Sequence, residues 1–178
     1  VLALRQAFVD AGVPETLWSV VAGPANVVGE RVTDLADYIC FTGSTATGRI
    51  IAEKAGRRLV GASLELGGKN ALIVVDDVDP ERAAADTVYA CFAAMGQLCV
   101  SIERIYVQRG IADAYLDALR RAVAAARLGS GDGSDYGTLT TQAQLERVET
   151  HVADAVAKGA TVLVGGSARP ELGPFAFE

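Results

Sequence analysis

Two side chains in this sequence stand out by type and by setting. Glu65 lies in Ser63-Leu64-Glu65-Leu66-Gly67-Gly68-Lys69-Asn70, and Cys99 closes Gly96-Gln97-Leu98-Cys99, 34 positions later. A thiolate can attack a carbonyl carbon and form a covalent intermediate, and a carboxylate can activate the water that releases the product. Each residue also has a plainer reading. A free cysteine is most often a small buried hydrophobe, and that reading is preferred for Cys40, inside an apolar strand, and for Cys91, on an apolar helical stripe. Cys99 differs because it follows Gly96-Gln97, outside regular structure, where a thiol can reach a pocket. Glu65 ends an apolar strand, and a carboxylate is costly to bury there unless it is used or paired. Burial would suit a general base, while an ion pair with Lys69 or Arg104 is the structural alternative. Taken singly, neither residue decides between its readings.

Glycine-rich turns supply further candidates. Thr42-Gly43-Ser44-Thr45-Ala46-Thr47-Gly48 joins a strand to a helix start, where exposed N–H groups and the helix dipole attract phosphate. It is not the G-x-G-x-x-G fingerprint, and an ordinary capped turn explains it as well. Gly23-Pro24-Ala25-Asn26-Val27-Val28-Gly29 reads better as a plain turn than as a second ligand contact. Asp76, Asp77 and Asp79 read as a solvated loop and helix cap rather than a metal site. His151, the one histidine, sits on a helix with no partner motif.

The elements that must position these groups alternate between strand and helix. A helix from Leu2 ends near Gly12, and strands are expected at Leu17–Val21, Tyr38–Phe41 and Leu59–Leu66, with a short helix over Gly29–Leu35. A helix over Ala46–Arg57, capped by Ser44 or Thr45, should turn Ile50, Ile51 and Ala55 inward. After Gly67-Gly68 come a strand at Ala71–Val75 and a helix begun by Asp79-Pro80. That helix buries Ala84, Val88, Cys91, Phe92 and Met95, and Gly96 ends it. Next are a strand at Ile102–Val107, a helix over Ile111–Arg127 and a loop over Ser130–Asp135. A helix over Thr141–Lys158, buried through Leu145, Val148, Val152 and Val156, leads to strands at Thr161–Val164 and from Phe175. This alternation implies parallel sheet with crossover helices, whose carboxyl edge is where open α/β folds bind ligands. A boundary falls near Gly67-Gly68.

The 178 residues are 51% hydrophobic and 21% charged, which allows a real core. A net charge of -6 argues against nucleic acid as a partner. No apolar run is long enough to span a bilayer, and Val1-Leu2-Ala3-Leu4-Arg5 lacks the pattern of a signal peptide. Cys40, Cys91 and Cys99 are too few and too irregular for a disulfide framework or a zinc site, so a reduced, cytoplasmic setting is expected.

Taken jointly, Phe41-Thr42-Gly43-Ser44 with Gly48, Glu65-Leu66-Gly67-Gly68-Lys69-Asn70, and Gly96-Gln97-Leu98-Cys99 with Arg104 resemble the aldehyde dehydrogenase family in order and spacing. The resemblance covers nearly the whole chain. It implies α/β architecture, with parts of two adjoining α/β domains truncated at both ends. These are the C-terminal part of a Rossmann-like NAD(P)-binding domain over 1–67 and the N-terminal part of a catalytic domain over 68–178. It implies oxidation of a small-molecule aldehyde to a carboxylic acid with NAD or NADP, with Cys99 as the nucleophile and Glu65 activating the hydrolytic water. By the same resemblance Ser44 lies against the cofactor pyrophosphate, Gly43 lines the nicotinamide side, Pro24 lies near the adenine, and Leu66 offers its carbonyl to the nicotinamide amide. A homo-oligomeric parent enzyme is implied too.

The local wording around Phe41–Arg49 and Gln97–Arg104 is similar to bacterial succinate-semialdehyde dehydrogenases within that family. Ala93 stands where enzymes of that activity often carry an arginine for the substrate carboxylate, Ala94 replaces a usual asparagine, and Ala71 a frequent proline. Family members are much longer, and three of their residues have no counterpart here: an oxyanion-hole asparagine, a lysine on the cofactor ribose and a glutamate on the nicotinamide ribose. The isolated chain is therefore expected to be inactive or nearly so. Two other readings remain: a non-catalytic scaffold relative, and a thiol esterase that uses Cys99 and Glu65 without cofactor.

Overall fold

A computed structural model describes residues 1–129 and 131–178. By its internal contacts the chain divides into two compact units, Val1–Gly67 and Gly68–Glu178.

The first unit contains α1 (Leu2–Asp10), α2 (Ala25–Leu35), β1 (Tyr38–Gly43), α3 (Thr45–Arg58) and β2 (Gly61–Leu66). β1 and β2 are parallel, in register from Tyr38 opposite Gly61 to Gly43 opposite Leu66. Parallel neighbours need a crossover, which α3 supplies. The Ser44 Oγ caps α3 by accepting from the Thr47 N–H at 3.2 Å, and Arg57 and Arg58 sit in the last turn, at the negative end of the helix dipole. Gly48, Ile51 and Ala55 recur at helical spacing and are buried on α3, and Ile51 and Ala55 join Ile39 in the core, with Phe41 and Leu64 packed against it.

Several expectations fail here for definable reasons. Ile50 is 58% exposed, because one residue along a helix is a rotation of about 100° and takes it off the buried stripe. Leu59 begins no strand; it ends α3 in the left-handed region at φ 56° and is 92% exposed. α2 begins at Ala25 rather than Gly29, directly after Pro24, whose fixed φ suits a helix entry. Leu17–Val21 forms no strand: Glu15–Leu17 is a 3-10 turn, and among the described residues 18–22 pair with nothing in a ladder. Trp18 instead serves α1, accepting from the Arg5 Nε at 2.8 Å and meeting the Phe8 ring edge-on at 5.2 Å.

The second unit contains β3 (Asn70–Val74), α4 (Pro80–Phe92), β4 (Ile102–Val107), α5 (Ala112–Ala125) and α6 (Gln142–Ala157). β3 and β4 are again parallel, with a register shift between Asn70 and Ala71. Asp79 caps α4, accepting from the Glu81 N–H at 3.1 Å. Val74, Ala84, Ile111, Tyr115 and Ala118 make the main core, and a second cluster gathers Leu139, Leu145 and Phe177. Thr87, absent from the expected stripe, is buried and its hydroxyl lies 2.8 Å from the Tyr115 hydroxyl.

α4 stops at Phe92, four residues before Gly96, in a kinked turn over Ala93–Gly96. Val156, expected inside, is exposed on the last turn of α6. Thr161–Val164 is not a strand; Val162 and Leu163 are exposed. Near the chain end, Phe177 makes only a single antiparallel bridge with Ala168. In the loop expected over 130–135, Ser130 lies outside the described residues, while Asp135 accepts from the Arg127 N–H at 2.8 Å and its Nε at 3.1 Å. Among the described residues no helix is long and apolar enough to cross a membrane.

Candidate active site

In the first unit, parallel pairing collects four of the candidate residues at one edge. Thr42 is opposite Glu65 and Gly43 opposite Leu66, at the carboxyl ends of β1 and β2. Ser44 follows at once as the cap of α3. The first-turn N–H groups of α3 at Thr45 and Ala46 have no helical acceptor by geometry, and they open at this edge beside the positive end of the helix dipole. A Cβ on Gly43 would fall 2.5 Å from the Phe41 ring. A Cβ on Gly48 would fall 2.6 Å from a Leu66 methyl, so the glycine lets α3 lie close over the end of β2. The free first-turn N–H groups of α3 beside Ser44 are what a dinucleotide pyrophosphate could use here. Pro24 stands apart in sequence as the residue that opens α2.

Strand alternation sorts the side chains at that edge. Ile39, Phe41 and Leu64 turn toward α3, which leaves Cys40, Thr42, Ser63 and Glu65 on the other face. Glu65 is exposed, so the burial expected of it is not there. Cys40 is exposed as well, against its expectation as a core hydrophobe, because the α3 side of the sheet is filled by its neighbours Ile39 and Phe41.

In the second unit, Cys99 occupies the first corner of a turn. The Ser101 N–H donates to the Leu98 carbonyl at 3.1 Å, and Cys99 and Val100 form the exposed tip. The approach to this turn is unusual: Ala94, Met95 and Gly96 take left-handed φ values of 51°, 58° and 68°. For the two non-glycine residues that backbone is strained by roughly 1 kcal/mol or more each, so other contacts must hold it. Gln97 provides some of them. Its Nε2 donates to the Ala94 carbonyl at 3.0 Å, and its Oε1 accepts from Thr140, from the N–H at 2.9 Å and from the hydroxyl at 2.8 Å. Asn70 holds the far side of the turn from the start of β3: its Nδ2 donates to the carbonyls of Cys99 at 2.7 Å and Ser101 at 3.1 Å.

Cys91 is half-buried on α4, and burial pushes its thiol above the ordinary range. Lys69 is paired with Glu103. An apolar cavity of about 400 Å³ opens among Phe92, Met95, Leu119, Leu139, Val152 and other side chains, and Cys99 is not among those that line it. The roles of Asn70 and Gln97 escape a reading by residue type, because an amide carries no chemistry that advertises it. Their position inside the two glycine motifs was the available signal.

The aldehyde dehydrogenase family profile matches residues 1–177. A protein of Mycobacterium ulcerans, provisionally named a succinate-semialdehyde dehydrogenase (NADP(+)), is 49% identical over 99% of this chain and 35% of its own length. The succinate-semialdehyde dehydrogenase (NADP(+)) GabD of Escherichia coli is 39% identical over 98% of this chain and 37% of its own. Among solved structures, the NAD+ complex of an aldehyde dehydrogenase from Bacillus cereus superimposes with a TM-score of 0.89 at 30% identity, covering 94% of this chain and 35% of that one. The chain thus spans about a third of the length of the curated relatives it matches. With its α/β fold and its sequence in agreement from one end to the other, the chain belongs to the aldehyde dehydrogenase family.

Proposed function

We propose that this chain carries the nucleophile and the water-activating carboxylate of an NAD(P)-dependent aldehyde dehydrogenase. The first unit is then part of the dinucleotide-binding domain and the second part of the catalytic domain. The observation that carries this reading is Cys99, an exposed thiol at the corner of a turn braced on both sides, in a chain of this family. The Cys99 thiolate forms a C–S bond to the aldehyde carbon, and the carbonyl oxygen becomes an alkoxide that backbone N–H groups of the turn stabilise. A bound nicotinamide dinucleotide supplies the hydride acceptor that lets the adduct become a thioester. Ser44 and the α3 start would hold its pyrophosphate, Gly43 would line the nicotinamide side, Leu66 would offer a carbonyl to the nicotinamide amide, and Pro24 would flank the adenine. Glu65 takes a proton from water, the hydroxide adds to the thioester carbon, and the C–S bond breaks to return the thiolate and release the acid.

Succinate semialdehyde is the first substrate to try, because the relatives named above carry that activity in their names. Ala93 offers no charge to the substrate carboxylate, so an uncharged aldehyde of similar size belongs beside it in the assay. The test follows reduced nicotinamide by its absorbance in the complete enzyme that carries this chain, with NADP and NAD in turn. Cys99→Ala should abolish turnover, Cys40→Ala should leave it, and Glu65→Gln should slow it by roughly 10²–10⁴-fold. Turnover that survives Cys99→Ala would overturn the reading. Ester hydrolysis with no nicotinamide reduction would favour a thiol esterase instead.

A further inference from the structure

We propose that Asn70 and Gln97 are positioning residues for Cys99; this rests on the reading of Cys99 as nucleophile. A trans peptide is planar, so a bond that pins a carbonyl also fixes the plane it belongs to and the N–H on the other side. Asn70 pins two such planes, those that follow Cys99 and Ser101, from the first residue of β3. β3 is paired with β4, and the register shift between Asn70 and Ala71 falls at this point of the ladder. Asn70 thus ties the turn to the sheet at a place where the ladder itself is irregular.

Gln97 acts on the side before Cys99. Its donor closes back on Ala94, inside the left-handed run, and its acceptor takes both donors of Thr140. Thr140 immediately precedes Thr141, the cap of α6. The strained entry to the turn is thereby fixed to a second element, independent of the first. Asn70 uses both donors of its amide nitrogen, and Gln97 donates once and accepts twice through its amide oxygen. An approach geometry that must hold to a fraction of an ångström needs such supports around a loop nucleophile.

Isosteric variants separate this role from packing. Asn70→Asp keeps size and shape but removes both donors, and Gln97→Glu keeps the acceptor for Thr140 but loses the donor to Ala94. Each variant, made in the complete enzyme that carries this chain, is compared with the parent enzyme by amide hydrogen exchange and by aldehyde-oxidation kinetics. For Asn70→Asp, amides of residues 97–101 should exchange about 10-fold faster while those of β3 and β4 keep their protection. The kcat should fall by about 10- to 100-fold, with KM within about twofold. Gln97→Glu should show the same pattern more weakly than Gln97→Ala.

Unchanged exchange over 97–101, or faster exchange with kcat intact, overturns the proposal. So does loss of protection throughout β3 and β4, which makes Asn70 merely structural. If the complete enzyme that carries this chain oxidises no aldehyde yet exchange over 97–101 responds as stated, the functional reading fails while the bracing of the turn stands.

Discussion

Gly48 lies against Leu66 so closely that a methyl group on the glycine would fall 2.6 Å from the leucine Cδ2 and 3.2 Å from its Cδ1. Gly48→Ala gains helix propensity, about 0.5–1 kcal/mol, but must push the whole leucine end, an overpacking cost of about 1–3 kcal/mol. The overpacking wins, and the variant should be about 1 kcal/mol less stable in urea unfolding. Gly56→Ala is the control on the same helix: nothing lies within 4 Å of its added Cβ, so it should be more stable by about 0.5–1 kcal/mol. Two destabilised variants would break the argument.

Ser44 caps α3 and, in the proposed function, borders the cofactor pyrophosphate. Ser44→Ala should cost about 1 kcal/mol of stability. Ser44→Asp separates the two roles, since aspartate caps as well as serine but sets a negative charge beside phosphate. It should unfold within about 0.5 kcal/mol of the parent yet bind dinucleotide more weakly than Ser44→Ala, as read by fluorescence quenching or calorimetry.

Thr87 and Tyr115 form a buried hydroxyl pair at 2.8 Å, and Thr87 also donates to the Ala83 carbonyl at 2.7 Å. The Tyr115 hydroxyl therefore donates to Thr87. Thr87→Val strands that donor and should cost about 1–3 kcal/mol; Tyr115→Phe leaves only an acceptor without its partner and should cost about 1 kcal/mol. The double variant should be less destabilised than the two costs together, and a strictly additive cycle would deny the coupling.

Burial disfavours the thiolate of Cys91, and alkylation proceeds through the thiolate. Iodoacetamide mapped by peptide mass should reach the exposed Cys40 and Cys99 first at neutral pH. Labelling of Cys91 should lag and rise only as the pH climbs past the ordinary thiol value of about 8.5. Equal labelling of all three at neutral pH would mean that the second unit is open.

What was legible from residue order alone was mostly local. Ser44 and Asp79 cap their helices because capping is decided within three or four residues of chain. The strands at Tyr38, Asn70 and Ile102 carry β-branched or aromatic residues in runs. Leu17–Val21 and Thr161–Val164 carry the same signal and form no strand, since a strand exists only where another backbone answers it. Which helix face is buried is likewise a matter of neighbours, which is why Ile50 and Val156 lie outside while Thr87 lies within.

Amino-acid order by itself determined the family, through a glutamate motif and a cysteine motif at fixed separation, and the helix starts at Ser44 and Asp79, because each rests on residue types at fixed spacings. Tertiary structure alone decided that Thr42 meets Glu65 and Gly43 meets Leu66 across a parallel pair, and that Asn70 reaches over 29 positions to hold the carbonyl of Cys99. Those relationships depend on strand register and on a loop folding back to the sheet, and free energies of that kind are set by contacts between segments that no local pattern encodes.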